Sequence, residues 1–195
     1  MRLRGAARLA VSGGSTPRKM FEYTSTREFD WTGVEVFQVD ERCVPPDHEQ
    51  SNYRMIRAAL RGPALIHRMR GELAPEEAAA LYEDELADAP LDVIQRGMGA
   101  DGHTASLFPG LPLPVSRGGW VGSIWVPVQS QHRITLMPAV LEQARVTLCL
   151  VTGADKAEAL HAVLRGPRDT EKYPAQIASS AMIWFIDEAA AAKLT

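Results

Sequence analysis

The run Gly97-Met-Gly-Ala-Asp-Gly-His103 places three glycines within six positions, ahead of a histidine that has an acid two residues before it. Glycines permit a tight loop that other residues would strain, and such a loop holds Asp101 and His103 at one place. Histidine titrates near neutrality and suits general base work. No serine or cysteine with a paired base is evident, so a covalent nucleophile is not expected. Cys43 follows Arg42, a cation that would lower a thiol pKa, but no base adjoins it and it reads as structural.

A second constellation is Ser12-Gly-Gly-Ser-Thr-Pro17. Gly13 and Gly14 let backbone approach a ligand. Ser15 and Thr16 add hydroxyl donors, and the N-terminus of a following helix offers unpaired N–H groups and partial positive charge. This is an anion cradle, most simply for phosphate. It matches neither a Walker loop nor a dinucleotide G-x-G-x-x-G. Cations are available in Arg42 of the triplet Asp40-Glu-Arg42, in Arg133 and in Lys156. Arginine's planar fork suits phosphate or carboxylate. In isolation the triplet reads as a solvated charged turn and the other two as surface cations. Of the remaining histidines, His132 adjoins Arg133 and is a secondary candidate, whereas His48, His67 and His161 have no partner pattern. No H-x-x-x-H or C-x-x-C spacing occurs, so a metal is not expected.

Positioning these residues requires strands that end where they begin. Arg8–Val11, Val34–Val39, Leu91–Ile94, Ile134–Leu136, Val146–Val151 and Met182–Ile186 read as strands, with Val146–Val151 apolar enough to be covered on both faces. Helical patterns follow Thr16-Pro17, where Thr16 serves as N-cap, and Ser51, whose helix Gly62-Pro63 stops. Others start at Pro75, with acids in the first turn, and at Pro138, and run over Asp155–Leu164; an alanine-rich helix closes the chain. Strand–helix alternation predicts a three-layer α/β/α fold with a mostly parallel sheet. Ligands of such sheets bind beyond the carboxyl ends of the strands. Ser12–Thr16, Asp40–Arg42, Gly97–His103 and Thr152-Gly153 each follow a strand.

At 195 residues, 46% apolar and 23% charged, the chain is expected to form one globular domain over residues 1–195. The net charge of −3 provides no general field for nucleic acid. Two cysteines cannot build a disulfide framework and suit a reducing compartment. No apolar run reaches membrane-helix length, and the stretch after the basic Met1-Arg-Leu-Arg4 is too short for a signal peptide. A cytoplasmic protein is expected, with no membrane or nucleic-acid partner, as a monomer or weak homodimer.

These motifs, in this order, resemble the glucosamine-6-phosphate isomerase/6-phosphogluconolactonase family, and its lactonase members in particular. The carrying stretches are Ser12–Pro17, Asp40-Glu-Arg-Cys-Val-Pro45, Ser51-Asn-Tyr53, Gly97–Gly110, Arg133–Leu136 and Val151–Lys156. Gly97–Gly110 is the most specific, because its continuation Thr104-Ala-Ser-Leu-Phe-Pro109 is not usual in the isomerases and deaminases. The resemblance implies a fold of the deaminase, ribose-phosphate isomerase and CoA-transferase type. It implies hydrolysis of 6-phospho-D-glucono-1,5-lactone to 6-phosphogluconate in the oxidative pentose phosphate pathway, without metal or nucleotide. Carried over by position, His103 activates water and Asp101 orients its loop. Gly13, Gly14, Ser15 and Thr16 cradle phosphate, Arg42, Arg133 and Lys156 are cationic contacts, and Asp40 and Asn52 line the sugar side.

Three departures stand out. The family usually carries a helix, often also a strand, before the first Gly-Gly loop, whereas here the first strand begins almost at Met1, which would uncover apolar surface on one sheet face. Gln95-Arg96 replaces an apolar pair, and such a pair needs partners. Gln131 precedes His132 where the family more often reads His-Pro-Arg over 131–133. Two other activities are therefore carried beside the lactonase: an amino-sugar-phosphate isomerase or deaminase, and a sugar-phosphate binder without turnover.

Overall fold

The computed structural model describes residues 7–62, 65–87, 90–178 and 181–194; Met1–Arg4 and Pro63 lie outside them. The chain runs through β1 (Ala7–Val11), α1 (Ser15–Thr24), β2 (Val34–Gln38), β3 (Asp40–Arg42), α2 (Asn52–Ala59) and β4 (Leu65–His67). It continues with α3 (Pro75–Leu86), β5 (Val93–Gly97), β6 (Val115–Ser116), β7 (Val121–Val126), β8 (Gln131–Leu136) and α4 (Pro138–Gln143). Last come β9 (Val146–Val151), a 3₁₀ turn at Ala154–Lys156, α5 (Ala157–Arg165), β10 (Met182–Ile186) and α6 (Glu188–Ala191).

The main sheet is six-stranded in the order β10-β9-β5-β1-β2-β4, and every pair in it is parallel. Val11, Val36, Phe21 and Ile56 pack together, which places α1 and α2 on one face. On the other face Ala10, Phe37 and Ile94 pack against Tyr82 and Leu86 of α3 and Leu141 of α4. Leu160 and Val163 of α5 pack against Cys149 and Val151. Strand order grows outward from β1 in one direction and from β5 in the other, so the sheet reverses between β1 and β5. Such a switch point parts the loops that follow its two strands and opens a crevice.

Three elements differ from the sequence expectation. Asp40–Arg42 is not a solvated turn but strand β3, paired antiparallel to β8, with Asp40 and Glu41 buried. It belongs to a second sheet of order β3-β8-β7-β6 whose pairs are all antiparallel. That sheet carried little sequence signal, because β7 is interrupted by Gly122 and Ser123 and β6 has two residues. Helix α1 begins at Ser15 with Gly14 as N-cap (φ +116°), so Thr16 lies inside the first turn and does not cap. Ser51 does cap: its Oγ accepts from Arg54 N–H at 3.1 Å. On the α1 side of the sheet's far edge, Ile183 and Phe185 are 49% and 55% exposed.

Candidate active site

One cavity of about 310 Å³ opens at the switch point. It is lined by Ser12 to Pro17 after β1, Gly97 to Gly99 and His103 to Ala105 after β5, and Leu150 to Thr152 with Lys156 after β9. Asp40, Asn52, Gln129, and both Arg42 and Arg133 close it. Every candidate binding residue reaches this cavity. Among the lining residues, Thr16 and Thr152 are 136 apart in the chain and are brought together by the sheet.

His103 is held by its own loop. Asp101 Oδ1 accepts from His103 N–H at 3.0 Å and lies 2.6 Å from His103 Nδ1. This pairing, chiefly the hydrogen bond from His103, holds the Asp101 carboxyl down at about 2. An ionised carboxylate only accepts, so Nδ1 carries a proton toward Asp101, and the lone pair of the uncharged ring lies on Nε2. A Cβ on Gly99 would come within 2.1 Å of Nδ1, so only glycine lets the ring lie there. The ring also packs on Phe108, with centroids 4.4 Å apart. Asp101 stands behind the histidine and does not line the cavity.

The cationic wall is built by long-range pairing. Register sets Arg42 of β3 opposite Arg133 of β8. Like charges so placed repel, and the surrounding residues offset this. Arg133 Nη1 lies 3.3 Å from Asp40 Oδ2, both side chains being buried, and its Nη2 donates to Gln129. Burial pushes the Arg133 pKa down, with Asp40 opposing. Ser106 Oγ donates to Asp40 Oδ2 at 2.8 Å. Asp40 is thus engaged by Arg133 and Ser106, and serves to fix the arginine as well as to line the cavity. Arg42 Nη1 donates to Asn52 Oδ1 at 2.6 Å, and Asn52 Nδ2 donates to the Asp40 carbonyl at 2.9 Å. Gly13 lies so close that a Cβ would come within 1.8 Å of Asn52 Oδ1.

Glu41, buried and beneath this wall, accepts from Gln38 Nε2, Ser51 Oγ and the N–H groups of Arg42, Asn52 and Tyr53, at 2.7–3.0 Å. It thereby ties β3 to the N-terminus of α2, where negative charge is favoured. Gln95 Oε1 accepts from Ser12 N–H at 3.3 Å, which gives the polar pair on β5 one partner at the cradle. Thr16 Oγ1 and Thr152 Oγ1 are 2.7 Å apart and join the first and last loops. Lys156 pairs with Asp155 at 2.7 Å.

Sequence reasoning missed Gln129 and the Ser106 link, and named Thr152 only as the start of a loop after a strand. Gln129 sits in a turn with no distinguishing motif; Ser106 lay inside the quoted run but its partner is 66 residues away. His132 does not reach the cavity. It alternates with Arg133 along β8, so it faces the opposite way and packs against Trp125 with the rings tilted, centroids 4.9 Å apart. Burial pushes the Cys43 thiol up to about 12, which leaves it without nucleophilic thiolate. Among the described residues, no His, Cys, Asp and Glu group of three or more is placed to hold a metal ion. None of the described helices is long and apolar enough to cross a membrane.

A parallel sheet that brings a glycine-rich loop at a helix N-terminus, two arginines and a carboxylate-held histidine into one cavity at its switch point defines an α/β protein with a cationic pocket. Residues 1–184 match the family described as glucosamine-6-phosphate isomerases/6-phosphogluconolactonase, and the chain belongs to it. A 6-phosphogluconolactonase of Synechocystis is 36% identical, covering 98% of this chain and 86% of the relative. One of Treponema pallidum is 40% identical over 82% of this chain and 73% of the relative. The crystal structure of 6-phosphogluconolactonase from Thermotoga maritima superposes with a TM-score of 0.83 at 28% identity, covering 94% of this chain and 86% of that one.

Proposed function

We propose that the chain is a 6-phosphogluconolactonase, hydrolysing 6-phospho-D-glucono-1,5-lactone to 6-phosphogluconate with His103 as general base. The observation that carries this reading is a histidine whose Nδ1 proton is fixed by Asp101, in one cavity with Arg42, Arg133 and a helix N-terminus. Curated relatives named for this activity, at 36% and 40% identity, support the substrate class.

His103 Nε2 takes a proton from water as the water oxygen bonds to the lactone carbonyl carbon. The tetrahedral oxyanion collapses, the ring C–O bond breaks, and the ring oxygen receives the proton from His103. The product acid ionises. A lactone is an activated ester, so one base and a few donors for the oxyanion suffice. The phosphate, remote from the reacting carbon, supplies the binding energy that sets the carbonyl beside His103. Gly13, Gly14, Ser15 and Thr16 with Arg42, Arg133 and Lys156 form its contacts, and Asn52 and Asp40 hold the arginines on the sugar side. No cofactor enters these steps.

The test is hydrolysis of freshly generated 6-phosphogluconolactone by this chain, corrected for spontaneous opening. Turnover that His103→Ala abolishes supports the reading. Binding of 6-phosphogluconate by a cooperatively folded chain without turnover would instead identify a binder, and ammonia release from glucosamine 6-phosphate would identify a deaminase.

A further inference from the structure

Arg96 is a fully buried side chain for which the chemistry above has no use. It lies on β5 immediately before Gly97, on the sheet face of Ile94 and Cys149, opposite the face of Gln95. Burial pulls its pKa down. Among the described residues no carboxylate pairs with it. Its Nη2 donates to the carbonyls of Ala175, at 3.3 Å, and Ile177, and lies 3.5 Å from Met182 Sδ. Its Nε and Nη1 are buried without an acceptor. A buried guanidinium without a counter-charge is costly, and an apolar side chain of similar size would pack at less cost.

What Arg96 holds is a strap across the His103 loop. Ala175 N–H donates to the Gly102 carbonyl at 2.9 Å, and Gly110 N–H donates to the Glu171 carbonyl at 3.3 Å. The Tyr173 ring lies so close to Gly102 that a Cβ there would come within 2.8 Å of Tyr173 Cδ1. Segment 171–177 therefore supports the loop that carries His103 at Gly102, beside the histidine, and at Gly110, where the loop ends. Gln176 ties the same segment to the carbonyls of Val163 and Pro167 at 3.2 and 3.1 Å, which leaves the inner side of the strap to Arg96.

We propose that Arg96 is a positioning residue: through the Ala175 and Ile177 carbonyls it fixes the strap, and through the strap it fixes Gly102 and the neighbouring His103. The inference rests on His103 being the base. Misplacing a catalytic group by a fraction of an ångström costs rate more than binding. Arg96→Met, which fills the space without the donors, should lower kcat about 10-fold and leave KM within about 2-fold. Tyr173→Ala should act in the same direction, and the double variant should lose less than the product of the two, because both act through Gly102.

If Arg96→Met does not fold, Tyr173→Ala carries the same measurement, and Arg96→Lys, which keeps one charged donor, should retain most of kcat. Unchanged kcat in folded Arg96→Met or Tyr173→Ala, or fully multiplicative losses, overturns the proposal. A second readout is independent of turnover: the imidazole NMR resonances of His103 should shift in Arg96→Met. If the wild-type chain does not hydrolyse the lactone, the functional reading fails by itself. Unmoved His103 resonances would refute the positioning role whatever the activity.

Discussion

The two walls of the cavity are built on opposite principles. At its histidine side chain the His103 wall is local: its acid is two residues away, glycine gives it room, and the side chain stays 29% exposed. The arginine wall is long-range: Arg133 and Asp40 are 93 residues apart, each only 8% exposed at the side chain, and joined by β3–β8 pairing. The contrast suits the work proposed for each wall. A base must exchange a proton with water, so it is held at one nitrogen and left open at the other. An anion-binding wall works best desolvated and rigid, because each guanidinium then acts at low local dielectric, and its own burial must be balanced by Asp40.

That contrast predicts which changes alter rate and which alter folding. The largest expected effect is that of His103→Ala, a kcat loss of about 10²- to 10⁴-fold with the melting temperature little changed; a comparable loss of stability would show that the wall is not local. Arg133→Ala should leave Asp40 buried without its partner and destabilise by about 3–5 kcal/mol, read as a shifted denaturation midpoint. Near-normal stability would mean that Ser106 suffices for Asp40. Arg42→Ala, whose partners are the Asn52 side chain and the Gln50 carbonyl, should raise KM by about 10- to 100-fold while the fold persists; an unchanged KM removes Arg42 from the phosphate contacts.

The smallest effect concerns acid. The folded Asp101 pKa, about 2, lies below the ordinary carboxylate value of 3.8. Its contribution to stability is therefore present above about pH 4 and lost as pH falls toward 2. Asp101→Asn should flatten that part of a melting-temperature profile only slightly, since the side chain is 52% exposed. A large flattening would make Asp101 a structural residue first.

The same contrast explains what could be read in advance. Glycine spacing around Asp101 and His103 is a chain-local signal, and it located the loop, its histidine and its partner. The hydrophobic runs of β1, β2, β5 and β9 gave the parallel sheet, and sheet topology placed their following loops together. The triplet Asp40-Glu-Arg42 misled, because three charged residues resemble a solvated turn unless the burying partner is known, and that partner strand begins at Gln131.

Sequence alone determined the kinds of groups present: a histidine beside an acid, a glycine-rich loop before a helix, three cations, and a central sheet to gather them. These depend on residue type and short spacing, which a chain carries without folding. Only the tertiary structure decided that Arg42 and Arg133 stand opposite each other and that Asp40 is engaged by Arg133. It also decided that His132 faces away and that Arg96 grips a strap beneath the loop. Each of these depends on strand register, where a shift of one residue reverses every side chain, and register is set by packing across distances that no local pattern encodes.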